Sequence, residues 1–269
     1  MNQKYSIIPD YEHMGDSLKL SKEYQAPFEY NDFVMGPCLW DGECRKARVA
    51  FYRSLDRDRS QDTMHGAFYE VIVHSMDPLV RQISRRRVEE SLQTARDLGL
   101  KGVVFHTNVT PEICVGAYRH YWRDVNEEFW RQMLEKFPGV EIYMENMFDR
   151  EPDTYVELAE RMKDQENFGL CLDYAHAMLY GNDIESWVQA VAPYVRHLHI
   201  NDNRLQYDDH LPVGEGLIDW QQFMDLTEKY LPPTSCLIEV NGCAAQRASF
   251  EKLQSFILLR NGKESQVQQ

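Results

Sequence analysis

Eight short apolar runs of strand type recur along this chain, separated by stretches of helical periodicity and by no Pro-, Ser- or Gly-rich linker. The runs cover 5–8, 28–33, 62–69, 101–106, 140–146, 168–173, 194–200 and 235–240. Helices are expected over 16–24, 43–55, 78–98, 124–137, 153–163, 184–192, 219–230 and 250–260, with Pro78 suited to a first helical turn and Gly99 to a C-terminal cap. Strands alternating with helices in this way pair in parallel, because each crossover returns the chain to the same end of the sheet. Eight such units define an α/β chain folded as a single (β/α)8 barrel over 1–262, followed by a polar tail at 263–269. The competing arrangement, an open doubly wound sheet, needs fewer units, and no GxGxxG follows the first run.

All strands of a parallel barrel end on one face, where the loops build the active site. His65, His106, Glu145, Asp173, His199 and Glu239 each fall at the end of a different expected strand. Asp173 brings His176 with it one turn later. The densest stretch, HLHINDNRLQYDDHLPVGEGLIDW at 197–220, adds Asp208 and His210 in a loop over the strand ends. Five imidazoles and four carboxylates would then face one pocket, and buried unpaired carboxylates cost several kcal/mol unless cations neutralise them. This donor set has no obvious thiolate and suits a divalent metal, Zn²⁺ or Mn²⁺ first, with Mg²⁺ or Co²⁺ also compatible. It suffices for one to three ions. His197 lies one layer below His199 and reads as a core or supporting histidine. His13, His74 and His120 carry no such context. Arg204 is the candidate to hold a substrate oxygen or phosphate, against the blander reading of a solvated loop arginine.

Forty-three acidic residues against 29 basic ones give a formal net charge of −14, so no chain-wide basic field exists to recruit a phosphate backbone. The clearest basic cluster, Arg85-Arg86-Arg87, is offset by Glu89-Glu90. Nucleic acid is therefore disfavoured as a partner. Cys38, Cys44, Cys114, Cys171, Cys236 and Cys243 show no CxxC spacing, which suits a reducing compartment. No basic start leads into an apolar stretch, and no apolar run approaches ~18 residues. The expectation is a soluble cytoplasmic protein with no membrane association and a small-molecule partner; a homo-oligomer remains open.

The ordered set EN at Glu145-Asn146, LDYAH at 172–176, HIND at 199–202, DxHxxxGEG at 208–216 and IE at Ile238-Glu239 resembles the xylose-isomerase-like barrel superfamily. That superfamily includes endonuclease IV and many sugar isomerases and epimerases, and the likeness covers nearly the whole chain. In endonuclease IV the matching positions hold a three-zinc cluster, which the resemblance carries onto His65, His106, Glu145, Asp173, His176, His199, Asp208, His210 and Glu239. In the sugar isomerases and epimerases a smaller set, matching Glu145, Asp173, His199 and Glu239, holds one catalytic ion. Thr107-Asn108 stands where the endonuclease has Pro-Gly, and Val240-Asn241 where it has Thr-Pro. Its DNA-penetrating loops are not evident, and GEGLIDW is similar to the isomerase branch. The resemblance therefore ranks first a metal-dependent isomerase or epimerase of a small sugar or sugar phosphate. There Glu145 and Glu239 would be the catalytic acid and base, moving a proton across a metal-polarised enediolate. The alternative it implies is an endonuclease IV-like multi-zinc phosphodiesterase acting at abasic sites, with Glu145 bridging two ions. A non-catalytic sugar-binding barrel comes third.

Overall fold

The computed structural model describes residues 3–69, 71–110, 112–113 and 115–267, with side chains through 258. One parallel sheet contains β1 (Lys4–Ile7), β2 (Glu29–Tyr30), β3 (Thr63–His65), β4 (Gly102–His106), β5 (Glu141–Glu145), β6 (Phe168–Asp173), β7 (Val195–Ile200) and β8 (Ser235–Ile238). Their spatial order is β1-β8-β7-β6-β5-β4-β3-β2. A single parallel bridge between Ile7 and Phe28 draws the two ends together, with the Ile7 amide donating to the Pro27 carbonyl at 3.0 Å. The expected barrel is therefore present and nearly closed.

Successive side chains of a strand point to opposite faces, so every strand here serves two environments. Phe28, Tyr30, Met64, Val103, Phe105, Ile142, Met144, Leu170, Leu172, Leu198 and Ile200 join the large core between sheet and helices. Residues of the opposite parity, Val104, Tyr143 and Cys171, make a small separate cluster. One layer further along the same face come His106, Glu145, Asp173 and His199, register-paired as His106 with Glu145 and Asp173 with His199. Packing on the outer face thus fixes which polar residues point inward.

The helices are α1 (Met14–Tyr24), α2 (Pro37–Trp40), α3 (Gly42–Ser54), α4 (Pro78–Leu98), α5 (Gly116–Lys136), α6 (Asp153–Arg161), α7 (Tyr174–Tyr180), α8 (Ile184–Val191), α9 (Trp220–Tyr230) and α10 (Cys243–Val267). Gly99 caps α4 in the left-handed region at φ 70°, its amide donating to Ala95 and Arg96. Four helices depart from expectation, the first being the four-residue α2, which lies outside every helical stretch read in the sequence. Helix α5 starts well before 124, because Trp122 is fully buried and donates its indole N–H to the Thr107 carbonyl. Helix α7 is too short for periodicity to reveal; it starts directly from β6, with Asp173 as its cap accepting from the His176 amide at 2.7 Å. Helix α10 begins at Cys243 rather than 250 and passes the boundary set at 262, running to Val267. Residues 268–269 of the expected tail lie outside the described residues, as does Cys114. Among the described residues five cysteines are free thiols, and no helix is long and apolar enough to cross a membrane.

His74 gives the fold a pH dependence that does not involve the strand ends. It is buried near Tyr118 and Trp122, and burial pushes its pKa down to about 4. Its folded pKa lies below the unfolded value, so the stability tied to its neutral form is complete above ~6.5 and is lost as pH falls toward 4. The loss is expected to reach about 3 kcal/mol. Denaturant melts at pH 7 and pH 4.5 should show it, and His74→Gln should flatten the difference.

Candidate metal centre

Nine side chains converge at the C-terminal mouth of the barrel, in three groups of donor atoms, two of which overlap. They are His65, His106 and Glu145; Glu145, Asp173, His199 and Glu239; and His176, Asp208 and His210. Within each group the donor atoms lie within 4.8 Å of one another. Glu145 belongs to two groups and divides its oxygens between them. Its Oε1 is 3.0 Å from His199 Nδ1, whereas its Oε2 is 3.0 Å from His106 Nε2 and 3.3 Å from His65 Nε2. Glu239 Oε2 lies 3.4 Å from the same His199 Nδ1. Asp208 Oδ2 is shared by His176 Nε2 at 3.2 Å and His210 Nε2 at 2.9 Å. His210 reaches this position from the left-handed region, at φ 48°, and its Nδ1 donates to the Glu239 carbonyl. A non-glycine residue is held there only when its surroundings fix it.

The fit to a cation rests on buried atoms that hydrogen bonds leave over. Glu145 Oε2, Asp173 Oδ2, Glu239 Oε2 and His106 Nδ1 are all buried without a hydrogen-bond partner. Most of these are acceptors converging on the same small volume. Neutral imidazoles would leave four carboxylates, Glu145, Asp173, Asp208 and Glu239, carrying four negative charges. Two divalent ions balance them; one leaves two charges uncompensated in a buried site.

Without a cation the cluster redistributes protons. Burial raises Asp173 to about 7 against the pull of His176. Burial opposes a charged His199, but Cys171, Glu145, Glu29 and Glu239 around it raise its pKa well above the usual value. His210 is likewise raised to about 10, burial being outweighed by Asp208 and Glu239. Metal uptake would displace these protons, so loading weakens as pH falls.

The donors open on a cavity of about 640 Å³ whose wall includes His65, His106, His176, Asp208, His210 and Glu239. Phe68, Tyr69, Phe148 and Tyr180 form an aromatic rim, and among the described residues no Lys or Arg lines it. Glu145, Asp173 and His199 lie behind this wall. Arg204 is outside it, 60% exposed and paired with Asp209 at 3.3 Å. His13 is exposed and pairs with Asp10. His197 is buried below the site, as expected.

The roles of several residues that build the site escaped sequence reasoning, although Asn146 and Asp202 stand in its motifs. Asn146 bridges β5 to β6, its amide accepting from the Asp173 N–H and donating to the Asp173 carbonyl, both at 2.9 Å. Buried Asp202 organises the loop after β7 by accepting from the amides of Gly214 and Ile218 and from the Trp220 indole. The GEGLIDW stretch is thus a fold around one carboxylate, and it carries Asp208 and His210 into place. A Cβ at Gly216 would overlap the Asp202 carboxylate and the Asn203 carbonyl. Gly216→Ala is expected to destabilise by roughly 2–4 kcal/mol, the scale of overpacking plus a lost buried hydrogen bond. Thermal melts beside Gly15→Ala, whose position is open, would check it. Buried Glu29, on β2, also went unnoticed.

The fold and this cluster define a parallel (β/α)8 barrel with a candidate metal centre at its strand ends. Residues 45–251 match the family model for xylose isomerase-like TIM barrels, and the chain belongs to that family. It is 26% identical to an uncharacterized protein of Methanocaldococcus jannaschii over 65% of this chain and 61% of that one, so less than two thirds of that relative is spanned. It is also 26% identical to a probable endonuclease 4 of Mycobacterium leprae, over 62% of this chain and 69% of the relative. Among solved structures it resembles a Thermus thermophilus protein soaked with ZnCl2, with TM-score 0.74, 23% identity, and 95% and 98% of the two chains covered. A D-tagatose 3-epimerase-like protein matches with TM-score 0.75, 21% identity, and 97% and 99% covered. At these identities the structural likeness establishes the fold. The zinc-soaked neighbour and the donor groups together support a divalent metal.

Proposed function

We propose that this chain is a divalent-metal-dependent hydrolase of a small phosphate ester, with sugar phosphates as the substrate class, its centre holding at least two ions. The observation that carries this reading is the placement of Glu145. Moving a proton between two carboxylates across an enediolate requires both to touch the substrate, yet Glu145 is fully buried behind His65 and His106, and only Glu239 lines the cavity. Glu145, with one oxygen turned to each of two donor groups, is suited to bridging and not to proton transfer. The sequence ranks an isomerase or epimerase first and an endonuclease IV-like phosphodiesterase second; this reading keeps the multi-ion hydrolysis of the second without its abasic-site substrate.

Ions bound there would supply Lewis-acid polarisation of a phosphoryl oxygen and a water acidic enough to attack at neutral pH. The chain's own residues do the rest. Glu239, on the cavity wall beside His199, would hold or return a proton at the leaving oxygen. His176 and His210 fix Asp208 from both sides, and Phe68 and Phe148 limit water at the mouth. With no Lys or Arg among the described residues of the wall and a net charge of −14, the cavity favours a small ester over a duplex, whose grip requires many phosphate contacts.

Isomerisation or epimerisation is the second reading. It is favoured by Glu239 as one cavity-facing base and by the likeness to the epimerase-like protein. Zinc- or manganese-loaded protein, offered phosphomonoesters, phosphodiesters and free ketoses in deuterated water, separates the two. Phosphate or alcohol release without deuterium uptake is expected. Deuterium incorporation next to a ketose carbonyl, with no ester cleaved, would hand the assignment to the isomerase.

A further inference from the structure

We infer that Glu29 is a positioning residue that fixes the ring orientation and tautomer of His199, so that Nδ1 is the nitrogen turned toward the metal centre. The inference rests on the reading of His199 as a ligand, but not on which reaction follows.

Glu29 lies on β2, across the barrel from β7, and is completely buried. Its two oxygens have separate tasks. Oε2 accepts from the Thr63 hydroxyl at 2.6 Å and from His197 Nε2 at 2.9 Å, and the other nitrogen of His197 meets the Ser235 hydroxyl at 2.7 Å. His197 is further held face to face with Tyr143, ring centroids 5.5 Å apart. This network pins the carboxylate from below and leaves Oε1 turned upward, 3.0 Å from His199 Nε2.

The imidazole of His199 has only two nitrogens, and both now have defined neighbours. Nε2 faces Glu29, while Nδ1 faces Glu145 Oε1 at 3.0 Å and Glu239 Oε2 at 3.4 Å. With a proton on Nε2, the side facing Glu29, the Nδ1 lone pair lies among two carboxylate oxygens, where a metal ion would take the place of the second proton that the metal-free ring carries. The opposite tautomer would point a lone pair at a buried carboxylate that has no proton to offer. A carboxylate behind a ligating histidine selects its tautomer and strengthens it as a ligand, and removing such a partner lowers metal affinity about 10–100-fold.

The test uses Glu29→Gln, which keeps the size but places an amide beside His199 Nε2. Zn²⁺ affinity is measured by chelator competition, and the histidine tautomers are read from long-range ¹H–¹⁵N spectra of the metal-free and Zn-loaded protein. Glu29→Gln is expected to lower the affinity of the ion on His199 about 10–100-fold, to move the His199 proton from Nε2 toward Nδ1, and to leave circular dichroism unchanged. Thr63→Val, which frees Oε2 without removing the carboxylate, should give a smaller loss in the same direction and serves if Glu29→Gln fails to fold. Unchanged affinity and an unchanged His199 tautomer in either folded variant would overturn the inference. A wild-type protein that binds no ion would instead overturn the metal-centre reading beneath it, and an extra ion lost with Glu29 would make Glu29 a ligand and the positioning role wrong.

Discussion

Glu145→Gln is expected to cost on the order of 10³-fold or more in turnover, the scale on which loss of a preorganised charge-stabilising group acts. It should also remove more than one ion from the chain. The expectation follows from Glu145 facing two donor groups, through Oε1 toward His199 and through Oε2 toward His65 and His106. Gln keeps the volume but replaces one oxygen with a donor that repels a cation, so whichever way the amide turns, one group loses its bridge. Folding should survive, because the outer face of β5, Ile142 and Met144, remains in the main core. Turnover, metal content and circular dichroism on the same samples decide it. A folded Glu145→Gln protein with normal metal content and activity would remove Glu145 from the centre.

Stripping the metal is expected to abolish turnover reversibly and to lower thermal stability by roughly 10 °C. An ion present at about 1,000 times its Kd adds about 4 kcal/mol to the native state. In a chain of this size each kcal/mol is worth about 2–4 °C. The apo barrel should remain folded, since its core packs without the site and protons taken up by His176, His199, His210 and Asp173 offset its carboxylates. Chelation followed by reloading, monitored by calorimetry and by ester cleavage, tests both effects. Identical melting of stripped and loaded protein would mean that no ion binds the folded state appreciably.

The barrel was legible because each strand's outer face is apolar and each ends on a chemically distinctive residue. The same alternation that buries Met144 and Leu172 outward turns Glu145 and Asp173 inward, so the strand-end donors could be read together. Glu29 could not be found this way, because β2 has only two residues and the carboxylate sits inside an aromatic run instead of closing it. The signal was there: Phe28 and Tyr30 flank Glu29 at strand spacing, and both face the core, which forces the residue between them inward. Asp202 and Asn146 were hidden for a different reason, since their work is hydrogen bonding to backbone that only the fold brings close. The catalytic pairing of Glu145 with Glu239 looked equal in sequence. The cavity separates them, because Glu239 is among its lining residues while Glu145, whose Oε2 faces His65 and His106, is not.

Metal content per chain, measured by elemental analysis on protein reloaded with zinc and freed of excess, tests the central claim most directly. Four clustered carboxylates in three donor groups, two of which share Glu145, predict between two and three tightly held ions. A value of one, unchanged in Glu145→Gln, would contradict the multinuclear centre and the hydrolase built upon it.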